Sequence, residues 1–321
     1  MRRRLAALTV VPLLLLGVAA CGDSSNGSDG DSGADIADLQ VSGKVGTTPK
    51  VTIDKPLKLE KTESEVLTEG DGNPVVEGET ALLHLYVANG TTGDKALTTY
   101  DRGVPAAFQM SEAQLFKSVV DATVGQKVGS RVVVAATPKD AWGAKGAPQF
   151  KLGPKDDVVF VIDVMSVQPT KVLDGPEGTK VDDVPKDLPT VEEKKGKVTG
   201  ISFANAPKDP PSDLEVVTLV KGDGPPVRKA SLVTFDYLGQ VYGSNKVFDQ
   251  SYNADPRPFP VGIGGLIPAW DEALVGKPEG SRLMIIAPPD MAYGAQGSPP
   301  SIPKNATLAF VVDILGVDPG A

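Results

Sequence analysis

Between Val247 and Phe310 the chain sets aromatic and branched apolar residues at loop and strand ends, where a plain core would not need them. The stretch reads VFDQSYNADPRPFPVGIGGLIPAWDEALVG, then AYGAQGSPPSIP, then NATLAF. Phe248, Phe259, Leu266, Ile267, Trp270, Tyr293, Ile302 and Phe310 together predict one apolar pocket with a few polar handles, the usual form of a small binding site. Other chemistries lack their parts. His84 is the only histidine and Cys21 the only cysteine, so neither a metal cluster nor a Ser–His–Asp nucleophile is expected. Asp271 and Glu272 are adjacent and would not face each other as a catalytic pair, so both read as solvated surface. GIGG at Gly262 lacks the spacing and the following lysine of a phosphate loop and reads as a bend.

The spacing of these residues resembles the FKBP-type peptidyl-prolyl isomerases. The resemblance implies an antiparallel sheet wrapped over one short helix, with the pocket between. It also implies rotation about X–Pro bonds, a reaction needing no cofactor, nucleophile or metal. Amide resonance sets a barrier of roughly 18–20 kcal/mol, and uncatalysed exchange takes tens to hundreds of seconds, on the order of a slow folding step. The twisted amide is less polar than the planar one, so a dry apolar site holds it in preference. Carried over by position, Trp270 becomes the floor under the prolyl ring. Tyr237, Phe248, Leu266, Ile267 and Phe310 become walls, Phe259 flanks them, and Ile302 covers one side. The Ile267 N–H and the Tyr293 hydroxyl would donate to substrate carbonyls, and Asp249 would orient Tyr237. FK506-like macrolides are implied ligands. Ser298 stands where many members carry His, and Leu266 where Val is common. The alternative is a non-catalytic lipoprotein that holds proline-containing peptides as a chaperone does.

The elements that position these residues are legible in outline. LVTFDYLGQVY, RLMIIAP and TLAFVVDILGV read as strands. Leu266–Val275 is the best helix, with Leu266, Ile267, Trp270 and Leu274 on one face and Gly276 as a stop. Few helices among many strands give an α+β fold.

The same pattern occurs upstream. An offset of 151 residues takes AYGAQG at Ala292 onto AWGAKG at Ala141 and Gly280-Ser281-Arg282 onto Gly129-Ser130-Arg131. With one residue of slip, FVVDILGV at Phe310 falls on FVIDVMSV at Phe160. Two tandem copies follow: a degenerate domain at 57–169 and an isomerase domain at 212–321, joined by a linker at 170–211 whose Pro, Lys and Asp favour independent motion. Val198–Phe203 and Val51–Leu59 are candidate first strands. The offset pairs Asp249 with Thr98, Phe248 with Leu97, Trp270 with Val119 and Tyr293 with Trp142. Tyr86 and Phe108 are kept, and Phe116 replaces Ile267. The first copy therefore reads as a spacer, docking module or weak peptide binder. His84, on period-2 alternation with Leu82 and Tyr86, reads as structural and inward-facing.

At 321 residues with 40% apolar content the chain supports two cores. Its N-terminus has a basic run, Arg2–Arg4, an apolar run too short for a spanning helix, and VAAC ending at Cys21. This resembles a bacterial lipobox, which implies a signal peptide at 1–20, lipid on Cys21 and anchorage on the extracytoplasmic face of the cell membrane. Residues 21–56 form the lipidated start and a tether, with Gly22–Gly33 unable to bury apolar area and a short strand near Lys50–Ile53. Loss of Arg2, Arg3 and Arg4 lowers the net charge of -9 by three, to -12. An acidic surface argues against nucleic acid. Exported prolyl-containing polypeptides are the expected substrates.

Overall fold

The computed structural model describes residue 36 and residues 39–54, 56–254 and 256–321. The expected signal peptide, the Gly22–Gly33 tether and Cys21 lie outside the described residues. Among the described residues the first paired element is a hairpin, β1 (Leu39–Ser42) with β2 (Lys50–Ile53). The first domain follows with β3 (Glu63–Thr68), β4 (Thr80–Asn89), β5 (Lys95–Thr98), β6 (Ala106–Gln109), α1 (Lys117–Thr123), β7 (Arg131–Ala136) and β8 (Val158–Val167). Its antiparallel sheet runs β3-β7-β8-β4-β5, with β6 also on β4.

Three strands follow: β9 (Gly178–Lys180), then a second hairpin, β10 (Thr190–Lys194) with β11 (Lys197–Ser202). The second domain has β12 (Glu215–Gly222), β13 (Ser231–Val241), β14 (Val247–Gln250), β15 (Pro258–Val261), α2 (Pro268–Leu274), β16 (Arg282–Ala287) and β17 (Leu308–Asp318). Its sheet runs β14-β13-β17-β16-β12-β9, with β15 also on β13. The fold is α+β, an antiparallel sheet around one short helix, in two tandem copies.

Each helix is only seven residues long. Pro268 opens α2 with its φ already suited to a first turn. Val275 then turns extended, and Gly276 takes φ +83°, a conformation glycine adopts without strain. Leu266 and Ile267, expected inside the helix, precede it. The buried face is Ala269, Trp270, Ala273 and Leu274.

The central strands are buried along their whole length: all six residues of RLMIIA in β16 and all six of RVVVAA in β7. Helix and loops cover one face of each sheet, and a hairpin covers the other. β10–β11, with Leu188 just before it, lays Val198 and Ile201 against Leu238, Met284, Ile286 and Val311. β1–β2 packs Leu39, Val41, Val51 and Ile53 against Val133, Ala135, Val159 and Val161. The repeat therefore includes these hairpins and is longer than the sequence offset suggests.

Residues 170–211 differ from a linker. β9 pairs with β12, Leu173 donates its N–H to Leu315 O at 2.8 Å, and β10–β11 is part of the second domain's packing. β11 is the strand expected near Val198, but it pairs with β10 rather than with the main sheet. The domains also share a buried polar junction. Ser166 donates to Asp318 Oδ1 at 2.8 Å and accepts from the Leu232 N–H at 2.9 Å, while Asn73 Nδ2 donates to Asp318 Oδ2 at 2.9 Å. These contacts oppose the independent motion expected from composition.

Candidate functional site

β13 carries Val233, Phe235, Tyr237 and Gly239 on its helix-facing side, because successive strand residues alternate faces. Phe235 and Tyr237 form the rear of a cavity of about 450 Å³, within the range of small-ligand sites. Phe248, Asp249, Phe259, Leu266, Ile267, Trp270, Tyr293 and Phe310 complete it with Gly265, Pro268 and Ala292. Nine of the ten site residues expected from sequence thus meet at one place.

Trp270 lies at the bottom, 5% exposed. Edge-to-face contacts hold its ring, with centroids 5.0 Å from Phe235, 5.1 Å from Tyr237 and 5.2 Å from Phe310. Such pairs fix ring orientation as well as burying area. Its indole N–H has no acceptor among the described residues. Phe259 stacks on Phe235 at 5.0 Å, and Phe248 meets Phe310 at 5.8 Å. Gly239 permits that last approach. A Cβ there would lie 2.6 Å from Phe248 Cζ and 2.9 Å from Phe310 Cε1.

The polar edge is Tyr237, Asp249 and Tyr293. The Tyr237 hydroxyl donates to Asp249 Oδ2 at 2.7 Å, and Asp249 Oδ1 accepts the Gln250 N–H at 2.9 Å. Burial, then the bond to Asp249 and its charge, push the Tyr237 phenol above its usual range, so it stays protonated as a donor. Tyr293 is 42% exposed and stands at the mouth. Ile267 sits before α2 at φ −64° and ψ 147°. Its N–H makes no hydrogen bond to another described residue and is free to meet a ligand carbonyl.

Three placements differ from expectation. Ile302 is not a lining residue. It is 4% exposed in the core, because backbone bonds of 2.9 Å in both directions with Ser298 close its loop inward. Asp271 is not merely solvated: its carboxylate accepts the Gly262 and Gly264 N–H groups at 2.7 Å each, which fixes the bend leading to Leu266 and Ile267. Phe235 lines the cavity without being among the expected site residues, although the alternation through Tyr237 marks it.

Behind the sheet, a buried ionic group anchors the same loop. Arg282 donates to Asp313 at 2.5 and 2.7 Å, and the Tyr252 hydroxyl donates to Asp313 at 2.9 Å. Glu193 of β10 pairs with Arg282 from the hairpin. Tyr252 ends the segment that starts at Phe248 and Asp249. Its neighbour Ser251 bonds Tyr237 through both backbone and side chain, at 2.9 Å each.

The first domain keeps the anchor and loses the cavity. Arg131, Asp163 and Tyr100 repeat the ionic group, with His84 stacked on Tyr100 at 4.2 Å. His84 is therefore structural but outward, beneath β1–β2; burial lowers its pKa, so it stays neutral. Sheet register corrects the sequence offset. Tyr237 faces Val312 and Leu85 faces the matching Ile162, so Leu85, not Tyr86, replaces Tyr237. Likewise Leu97 replaces Asp249 and Ala96 replaces Phe248. Tyr86 packs on the outer face. Where the second domain is hollow, Phe116 and Trp142 lie 4.6 Å apart, and Trp142 stacks on Phe160 at 5.9 Å.

Comparison with known proteins gives the following. Residues 72–165 and 224–315 each match the family described as FKBP-type peptidyl-prolyl cis-trans isomerase. The 39 kDa FK506-binding nuclear protein of Drosophila melanogaster is 36% identical over 115 residues, 35% of this chain and 32% of that protein. The FK506-binding protein of Streptomyces anulatus is 34% identical over 111 residues, 34% of this chain and 90% of that protein. The chain thus spans about a third of the Drosophila relative's length. A crystal structure of the three FKBP domains of wheat FKBP73 aligns with 80% of this chain and 94% of its own, at 17% identity and a TM-score of 0.35.

Proposed function

The chain belongs to the FKBP-type peptidyl-prolyl cis-trans isomerases, and from that premise we propose that its second domain catalyses prolyl isomerisation on exported polypeptides while its first does not. The observation that carries this is the contrast between the copies. One has an aromatic cavity floored by Trp270; the other has Phe116 and Trp142 packed in the corresponding place. In the second domain a prolyl ring would rest on Trp270. Ile267 N–H and the Tyr293 hydroxyl would hold the flanking carbonyls. The dry walls would favour the twisted amide, whose carbonyl is less polar than that of the planar form. Tyr237 and Asp249 would fix the local field without exchanging a proton.

A protease-coupled peptide assay on the full chain tests this. Asp249→Val is expected to lower kcat/KM about tenfold, equivalent to about 1.4 kcal/mol of transition-state stabilisation. Trp142→Phe should leave it unchanged. A rate no better than background for the unaltered chain would leave the cavity as a peptide or FK506-like macrolide binding site only.

We further propose that Cys21 carries lipid and holds the domains at the outer face of the cell membrane, where a folding helper independent of ATP is chemically suited. The sequence VAAC, ending at the only cysteine, supports this. Cells fed labelled palmitate should label the intact chain, and Cys21→Ala should abolish the label and move the protein to the soluble fraction. A retained label would place the lipid elsewhere.

A further inference from the structure

We infer that the outer edge of β3 is a docking site for an extended, basic, glycine-containing segment of a partner polypeptide. The second domain shows what such an edge takes. Its β12 is paired by the chain's own β9, with Val220 opposite Lys180, Lys221 opposite Thr179 and Gly222 opposite Gly178. Glu177 and Val181 extend the pairing, donating to Gly280 O and Leu219 O at 3.0 Å each.

The first domain has the same edge built to the same plan. Gly70 donates its N–H to Ser130 Oγ at 2.9 Å, as Gly222 does to Ser281 Oγ at 3.0 Å. A Cβ on Gly70 would meet Val128 O at 2.1 Å, and one on Gly222 would meet Glu279 O at 2.0 Å. The difference lies outside the edge. A Cβ on Gly280 would strike Glu177 O at 2.2 Å, whereas on the matching Gly129 it meets nothing nearer than Gly70 Cα at 3.3 Å. There the first domain has a groove of about 170 Å³ lined by Val66, Glu69, Gly70, Gly125, Gln126, Lys127 and Ser130. β3 is exposed from Ser64 to Thr68, and among the described residues no strand pairs with its outer side. An open edge is a template for strand addition.

Chemistry selects the occupant. Glycine is required opposite Gly70, because a Cβ on its counterpart Gly178 would lie 2.1 Å from Lys221 O. Residues 58–71 carry Glu60, Glu63, Glu65, Glu69 and Asp71 against Lys58 and Lys61, and Glu69 and Lys127 line the groove; the net negative charge favours a basic segment. The chain's own Gly22–Gly33 contains aspartates and no Lys or Arg, so charge disfavours it as the occupant.

Hydrogen exchange on the full chain tests the inference, with the amidated peptide Lys-Lys-Gly-Thr-Lys-Val-Lys as probe. In the free chain the amides of 67–70 should exchange at least about tenfold faster than those of 219–222, and the probe should slow them about tenfold. The same peptide with alanine for glycine should have no effect, and Glu69→Pro should abolish the slowing by removing a backbone donor. The inference is overturned by no slowing at millimolar probe. Equal slowing by the alanine peptide also overturns it, since attraction would then be charge alone. So does protection of 67–70 in the free chain, which would make residues 1–35 the occupant.

Discussion

Arg282→Met is expected to destabilise the second domain by about 3–5 kcal/mol, the cost of removing one partner of a buried ion pair. Asp313 is 1% exposed and takes two bonds from the guanidinium. Without Arg282 only the Tyr252 hydroxyl remains to it, too little for a charge out of water. Glu193 would lose its partner too, but its side chain is 45% exposed and water can replace the contact. Each domain has one tryptophan, Trp142 or Trp270, so urea unfolding followed by fluorescence in a Trp142→Phe background reports the second domain alone. With a slope of roughly 1–3 kcal/mol per molar, the midpoint should fall by about 2 M. Adding Asp313→Leu and Tyr252→Phe should recover at least half the loss, since an apolar replacement of the whole group leaves nothing charged or unpaired. If the single and triple variants melt together, the ion pair is not what holds the hairpin to the sheet.

The site was legible because its residues are chemically out of place: aromatics at loop and strand ends, in a chain with only nine phenylalanines and two tryptophans. Two kinds of information were not. The first is register. From Tyr252 to Phe259 there is one residue fewer than from Tyr100 to Phe108, and a single offset carried across that loop pairs Tyr237 with Tyr86. A slip of one residue turns a strand's side chains to the opposite face, so the single offset places among the pocket residues a tyrosine that lies under the hairpin. The inward row Ala81, Leu83, Leu85 and Val87 corrects it. The second is the hairpins. β10–β11 buries only Val198, Gly200 and Ile201 and is otherwise mostly Glu, Lys and Thr, which composition cannot tell from a linker. Its trace was in the strands beneath: six consecutive apolar or buried positions in β16 require cover on both faces of the sheet, and one helix supplies only one.

Converting the cavity of the second domain to the packing of the first is expected to abolish the proposed isomerase activity without unfolding the protein. The triple variant Ile267→Phe, Trp270→Val and Tyr293→Trp recreates the set Phe116, Val119 and Trp142, which is compatible with a folded core in the same backbone frame. Phe116 sits before α1 at φ −65° and ψ 142°, close to Ile267 at −64° and 147°, so the new ring starts from the same direction. Val119 is 1% exposed and leaves room beneath the Phe116–Trp142 pair, so removing Trp270 makes space for rings arriving from above. The ring floor, the tyrosine donor and the hollow itself are lost together. A loss of at least about a hundredfold in kcat/KM, or about 2.7 kcal/mol, is expected in the protease-coupled assay. Fluorescence unfolding should show a midpoint little changed, because volume removed at the floor is returned at the mouth. Retained activity in a folded variant would mean that Tyr237 and Asp249 suffice and that the cavity is not where the amide twists. A collapsed midpoint would mean that Phe150, in a loop one residue longer than its counterpart and packed 6.1 Å from Trp142, is also part of the first domain's packing. The graft would then be repeated with residues 147–152 in place of 298–302, and activity persisting in that folded chimera would refute the assignment.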